Sequence, residues 1–150
     1  MQLALDDNLG NVLAEGVGAI FAYAAVGLVL FILGFYIVDW TTPGRLISII
    51  RTDKSPNATF LASAATIGIG LIVAVSIYYA HGDLLEGLIR VSVFGGVGVV
   101  AQGLAVVIFD RIIGVDVRGC VKAPKLEPAV ILLGVANVSI GLVTAMAVSG

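Results

Sequence analysis

Residues 16–38 read GVGAIFAYAAVGLVLFILGFYIV, 23 consecutive positions without one Asp, Glu, Lys or Arg. A helix rises 1.5 Å per residue, so a run of about 20 apolar residues crosses a hydrocarbon core about 30 Å thick. The same pattern recurs at 58–80, 91–109 and 129–150, and all 8 Lys and Arg and all 10 Asp and Glu fall outside the four stretches. These stretches predict an all-α membrane protein with four transmembrane helices.

Composition agrees. The chain of 150 residues is 59% apolar and 12% charged, with a mean hydropathy of +1.11. An ordinary soluble chain is about 45–50% apolar and about 25% charged. Four spans use most of the length and leave no room for a separate soluble domain. A net charge of -2 with no basic tract gives nucleic acid no electrostatic footprint. The single cysteine, Cys120, excludes an internal disulfide framework and a Cys-based metal cluster.

The segments between the stretches fix ends and orientation. All four prolines lie there, at Pro43, Pro56, Pro124 and Pro128. Ser55-Pro56 and Glu127-Pro128 place proline at the first position of spans two and four, with Ser55 as a cap. The first connecting loop carries Arg45, Arg51 and Lys54, and the third carries Arg111, Arg118, Lys122 and Lys125, so seven of the 8 basic residues share one side. The positive-inside rule makes those loops cytoplasmic and both termini extracytoplasmic. Arg90, the exception, snorkels to the outer interface. Tyr36, Trp40, Phe60 and Phe109 mark the inner boundary and Tyr78 and Tyr79 the outer one. The opening residues 1–15, MQLALDDNLGNVLAE, lack the basic region and cleavage site of a signal peptide and read as an extracytoplasmic tail bearing Asp6, Asp7 and Glu15.

An ungapped shift of 71 residues brings the halves into register, with 16 of 65 positions identical between 15–79 and 86–150. Glu15-Gly16 falls on Glu86-Gly87, Asp39 on Asp110, Lys54 on Lys125, and Ile69-Gly70-Leu71 on Ile140-Gly141-Leu142. The expectation is two tandem two-helix units, 16–80 and 81–150, entering the membrane in the same direction. Between the first two spans, residues 42–51 place Leu46, Ile47, Ile49 and Ile50 opposite Arg45, Ser48 and Arg51, a short helix suited to the inner leaflet surface. Its counterpart near Arg111 to Lys122 is interrupted by Gly114 and Gly119.

Small residues recur every fourth position along span two, at Ala58, Ala62, Thr66, Gly70 and Ala74. Asn137, Gly141, Ala145 and Ser149 repeat that register in span four. Such stripes serve close helix packing, within or between chains, or line a pore. Gln102 and Asn137 are the strongest hydrogen-bonding side chains at membrane depth; each must face protein or water, as an interhelical pair or along a solute path. Asp39 and Asp110 sit at inner helix ends, where a carboxylate opposes the macrodipole and calls for a neutralising partner. Lys54 and Lys125 fit as interfacial salt-bridge partners; the other reading is an acidic ring at the mouth of an oligomeric pore.

Other features carry no chemistry. His81 has no second ligand and reads as a solvated turn residue, so no metal site is expected. Gly96-Val-Gly98-Val-Val-Ala101 spells a dinucleotide-binding pattern inside a span, without the preceding strand it requires. Asn57-Ala-Thr59 is a glycosylation sequon on the wrong side. No nucleophile, base and oxyanion set is present, so neither an enzyme nor a cofactor is expected.

The two-span unit with Asp at one helix end, then Asp53-Lys54-Ser55-Pro56-Asn57-Ala58, then Ala-Ser-Ala-Ala-Thr-Ile-Gly68-Ile-Gly70, resembles the YjfL-type family of small bacterial inner-membrane proteins, a domain of unknown function 350. The closing run Gly141-Leu-Val-Thr-Ala-Met-Ala-Val-Ser149 is similar as well. The resemblance implies four spans, a plasma-membrane location and work beside membrane-stress or polyamine-related proteins, and it supplies no activity. In the second unit Pro128 stands where the first has Asn57. The expected function is a self-associating scaffold or a partner subunit, with the bilayer, further copies and cytoplasmic partners at the basic loops as its contacts. The alternative is a subunit of an oligomeric ion or small-solute channel or transporter.

Overall fold

A computed structural model describes residues 2–42 and 45–149, without the side chains of residues 2–8. Pro43 and Gly150 lie outside the described residues, as do the side chains of Asp6 and Asp7. Among the described residues seven α-helices follow one another: α1 (Gln2–Thr41), α2 (Leu46–Thr52), α3 (Pro56–Tyr78), α4 (Leu84–Arg90), α5 (Gly96–Ile113), α6 (Val117–Lys122) and α7 (Pro128–Ser149). A π-helical turn, Val91–Gly95, joins α4 to α5 in one rod. The described residues contain no strand. Four helical rods are long and apolar enough to cross a membrane: Leu9–Thr41, Pro56–Tyr78, Leu84–Ile113 and Pro128–Ser149.

Local chemistry sets the ends. Ser55 caps α3, its Oγ accepting from the Ala58 amide at 3.2 Å, and Pro56 supplies the first helical residue. Gly114 ends α5 at φ 67°, a left-handed conformation that glycine adopts without a Cβ clash. The third rod begins at Leu84, seven residues before its apolar stretch, and its first turns carry an exposed ion pair one turn apart, Glu86–Arg90 at 2.5 Å.

Helix α3 is the centre, with α1, α2, α5, α6 and α7 against it. Its buried face includes Leu61, Ala65, Ile69, Ile72 and Val73. The outward faces are apolar too, with Phe21, Leu28, Val97, Leu104 and Val143 all exposed. Trp40, 81% exposed, and Tyr36 stand at the loop end, and Tyr78 and Tyr79 at the other, where a bilayer has its interfaces.

The tightest crossing joins α3 to α7. A Cβ placed on Gly141 would collide with the backbone of Gly68, and one on Gly134 would meet Phe60 Cε1 at 2.5 Å. In lipid no water is expelled when helices meet, so close backbone approach has to supply the attraction. The expected stripe on α3 is therefore displaced. Ala58 and Ala62 are buried, but Gly70 looks toward Phe31 of α1 and Ala74 is exposed, while Ala64 and Gly68 face α7. On α7, Asn137, Gly141 and Ala145 are buried as the spacing requires, joined by Gly134.

Candidate functional site

Two polar clusters stand out in this apolar bundle. The first lies midway along it. The π-helical turn rotates the third rod so that Gly95, Gly98 and Gln102 all face inward. Gln102 is 0% exposed, and its Nε2 donates to the main-chain carbonyl of Asn137 at 3.3 Å, against the Cα of Gly68. Asn137 is 4% exposed. The two amides do not pair side chain to side chain. Gln102 Oε1 and Asn137 Oδ1 are both buried without a donor. Thr66 takes no part, because its hydroxyl donates to the Ala62 carbonyl of its own helix at 2.7 Å.

The second cluster joins the two loops at the Trp40 end. Asn57 is 0% exposed and spends its whole amide on the segment leading into α7. Its Nδ2 donates to the carbonyls of Ala123 at 3.0 Å and Lys125 at 2.7 Å, and its Oδ1 accepts from the Glu127 amide at 2.9 Å. Ser55 Oγ donates to the Val121 carbonyl at 2.5 Å. The start of α3 thus holds the chain on the way to α7 in place. At the start of α7 stands Pro128, whose side chain could make none of these bonds.

The expected Asp-Lys salt bridges are not formed. Among the described residues the one ion pair is Glu86–Arg90. Asp39 instead accepts from the Ile47 amide at 2.8 Å, capping α2 from the end of α1. A helix amino end offers free N–H groups and partial positive charge, so the carboxylate needs no lysine. Lys54 and Lys125 are exposed. Asp110 lacks the corresponding bond, because α6 carries its own cap: Asp116 Oδ1 accepts from the Gly119 amide at 3.0 Å. The half-buried Asp110 opens onto a cleft with Arg111, Asp116 and Arg118. His81 is exposed beside Tyr79, and the described residues contain no group of three potential metal ligands.

The family described as Domain of Unknown Function (DUF350) matches residues 12–148. The chain belongs to this family. A UPF0719 transmembrane protein of Mycolicibacterium paratuberculosis is 33% identical over 139 residues, covering 93% of this chain and 92% of the relative. One of Mycobacterium bovis is 35% identical over 135 residues, covering 90% of this chain and 89% of the relative. No solved structure matches. The DUF350 chain is thus a multi-pass transmembrane protein in a bilayer, as four apolar rods and exposed apolar faces require.

Sequence reasoning singled out Gln102 and Asn137 and missed the Asn57 clasp in this DUF350 protein. The signal was present: a lone amide directly after Ser-Pro at the head of an otherwise apolar helix. Its letters also spell a sequon, and only the fold shows that residues 121–127 pass within reach.

Proposed function

We propose that this DUF350 protein is a non-enzymatic scaffold of the bacterial plasma membrane that associates with further copies of itself or with a membrane-protein partner. Helix α1 carries the reading. The most apolar window of α1 is 17% buried, against 50% for α3 and 39% for each of the other two rods. Tyr23 of α1 lies against Gly87 near the outer end of the bundle, and every residue from Leu9 to Gly18 is exposed, a stretch about 15 Å long. Leu9, Val12, Leu13, Val17 and Ile20 continue the side of α1 that lower down meets the bundle, with Asn11 and Glu15 opposite. The side that holds the bundle together thus runs on without a partner. The stripes on α3 and α7 are occupied within the chain, which leaves association to α1.

The orientation follows from the basic residues: loops and α2 and α6 on the cytoplasmic side, both termini outside, and the exposed Arg51, Lys54 and Arg118 open to cytoplasmic partners. Two tandem units remain the best account of the layout. Helices α2 and α6 begin at Leu46 and Val117, 71 residues apart, and α3 and α7 begin at Pro56 and Pro128, one residue off that offset.

Native mass measurement in mild detergent tests the scaffold. Wild type is expected to run as a dimer or larger assembly and Ile20→Asn as a monomer; a wild type that is monomeric throughout would overturn the reading. The second reading, an oligomeric channel or carrier, draws on one observation, the two donorless carbonyl oxygens of Gln102 and Asn137. It predicts ion flux in proteoliposomes that falls with Gln102→Leu, Asp39→Asn or Asp110→Asn. The scaffold predicts no such flux.

A further inference from the structure

The two related aspartates have different fates. Asp39 is consumed in capping α2, whereas among the described residues the Asp110 carboxylate has no hydrogen-bond or ion-pair partner, and Asp116 caps α6. Asp110 lines a cleft of about 340 Å³ between the end of α5 and α6, together with Asp116, Arg111, Arg118 and the apolar wall of Val107, Val115 and Val117. Both guanidinium groups are exposed and unpaired among the described residues. The carboxylates of Asp110 and Asp116 and the guanidinium groups of Arg111 and Arg118 share one concavity at the level of the Trp40 interface; Asp116 is engaged in capping α6, and the other three are uncommitted among the described residues. Arg111 and Arg118 suit a phosphate, and a carboxylate beside them suits a cation carrying N–H donors.

An apolar track leads away from the cleft. Arg111, Val107, Leu104 and Val100 follow one another at spacings of four, three and four along α5, and Leu104 and Val100 are exposed toward lipid. We propose that this cleft seats the headgroup of a zwitterionic phospholipid with a primary ammonium, Asp110 receiving the ammonium, Arg111 and Arg118 the phosphate, and the α5 track an acyl chain. The site is independent of self-association and rests only on the membrane placement of the bundle. A trimethylated ammonium offers Asp110 no N–H, and a glycerol headgroup offers it no charge, so both bind less well.

The test is native mass spectrometry of the full chain in detergent with an equimolar mixture of phosphatidylethanolamine, phosphatidylcholine and phosphatidylglycerol. Phosphatidylethanolamine adducts should exceed each of the others several-fold. Asp110→Asn, an isosteric change, should bring them down to the phosphatidylcholine level. Arg111→Gln with Arg118→Gln should lower all three, and Arg51→Gln, on α2 outside the cleft, should change nothing. Phosphatidylglycerol retained as well as phosphatidylethanolamine would overturn the proposal, as would a preference that survives Asp110→Asn or falls equally with Arg51→Gln. Displacement of the lipid by an equal concentration of glycerophosphoethanolamine, which has no acyl chains, would overturn the lipid assignment in favour of a soluble ligand.

Discussion

Asn57 shows how much one side chain settles in a lipid-embedded fold. Its three bonds satisfy two carbonyls and one amide of the segment before α7. Leucine in its place fits the volume and strands all three; an unsatisfied buried backbone group costs about 1–3 kcal/mol, with water relieving part of the sum at the loop end. Asn57→Leu is therefore expected to lower stability by roughly 2–4 kcal/mol, read as a large drop in the thermal unfolding midpoint in detergent. The glycines give a paired expectation. Gly141→Val drives a side chain into the Gly68 backbone and should abolish the folded bundle, while Gly70→Ala meets nothing nearer than Phe31 at 3.7 Å and should be tolerated. The fourfold spacing in the sequence points to Gly70 and not to Gly68, whose own register is broken by Phe60 and Ile72. Which of the two meets α7 depends on how α3 is rotated, and that is decided by α1 taking the Phe31 side, a tertiary fact with no trace in local spacing.

At the scale of elements, the spans were legible because charge exclusion from a hydrocarbon layer is absolute enough to print itself on the sequence. Helix ends were less so. Residues 1–15, which carry the acids Asp6, Asp7 and Glu15, read as a tail, yet α1 begins at Gln2, since Leu, Ala, Asn and Glu are compatible with helix when an apolar rod below nucleates it. Removal of residues 2–15 should leave the bundle's thermal midpoint unchanged and abolish association, as seen by unfolding and mass measurements on the same samples. The interfacial helix α2 was expected from its apolar face; its capping by Asp39, eight residues back, was not, because a carboxylate at a helix end suggests lysine first. Asp39→Ala should cost about 1 kcal/mol through the lost cap. Asp110→Ala should cost less, because Asp110 caps nothing among the described residues.

For the whole molecule, the basic loops set the orientation to be tested. Cys120, the single cysteine, sits half-buried on α6 and reports sidedness without engineering. A membrane-impermeant maleimide should leave it unlabelled in intact cells and label it after permeabilisation. The amides of the core were readable as residues that must be sheltered from lipid, but not in their roles. Each was a candidate for pairing or for a solute path, and the fold buries Gln102 against Gly68 and the Asn137 carbonyl.

Association through α1 is the central claim, and cysteine cross-linking in native membranes meets it most directly. In a Cys120→Ser background, Leu13→Cys lies on the unpartnered apolar side of α1 and Asn11→Cys on the opposite, polar side. Mild oxidation should give a species of twice the 15.4 kDa chain mass from Leu13→Cys and little from Asn11→Cys. Monomer alone from Leu13→Cys, or equal yields from the two positions, would contradict the account.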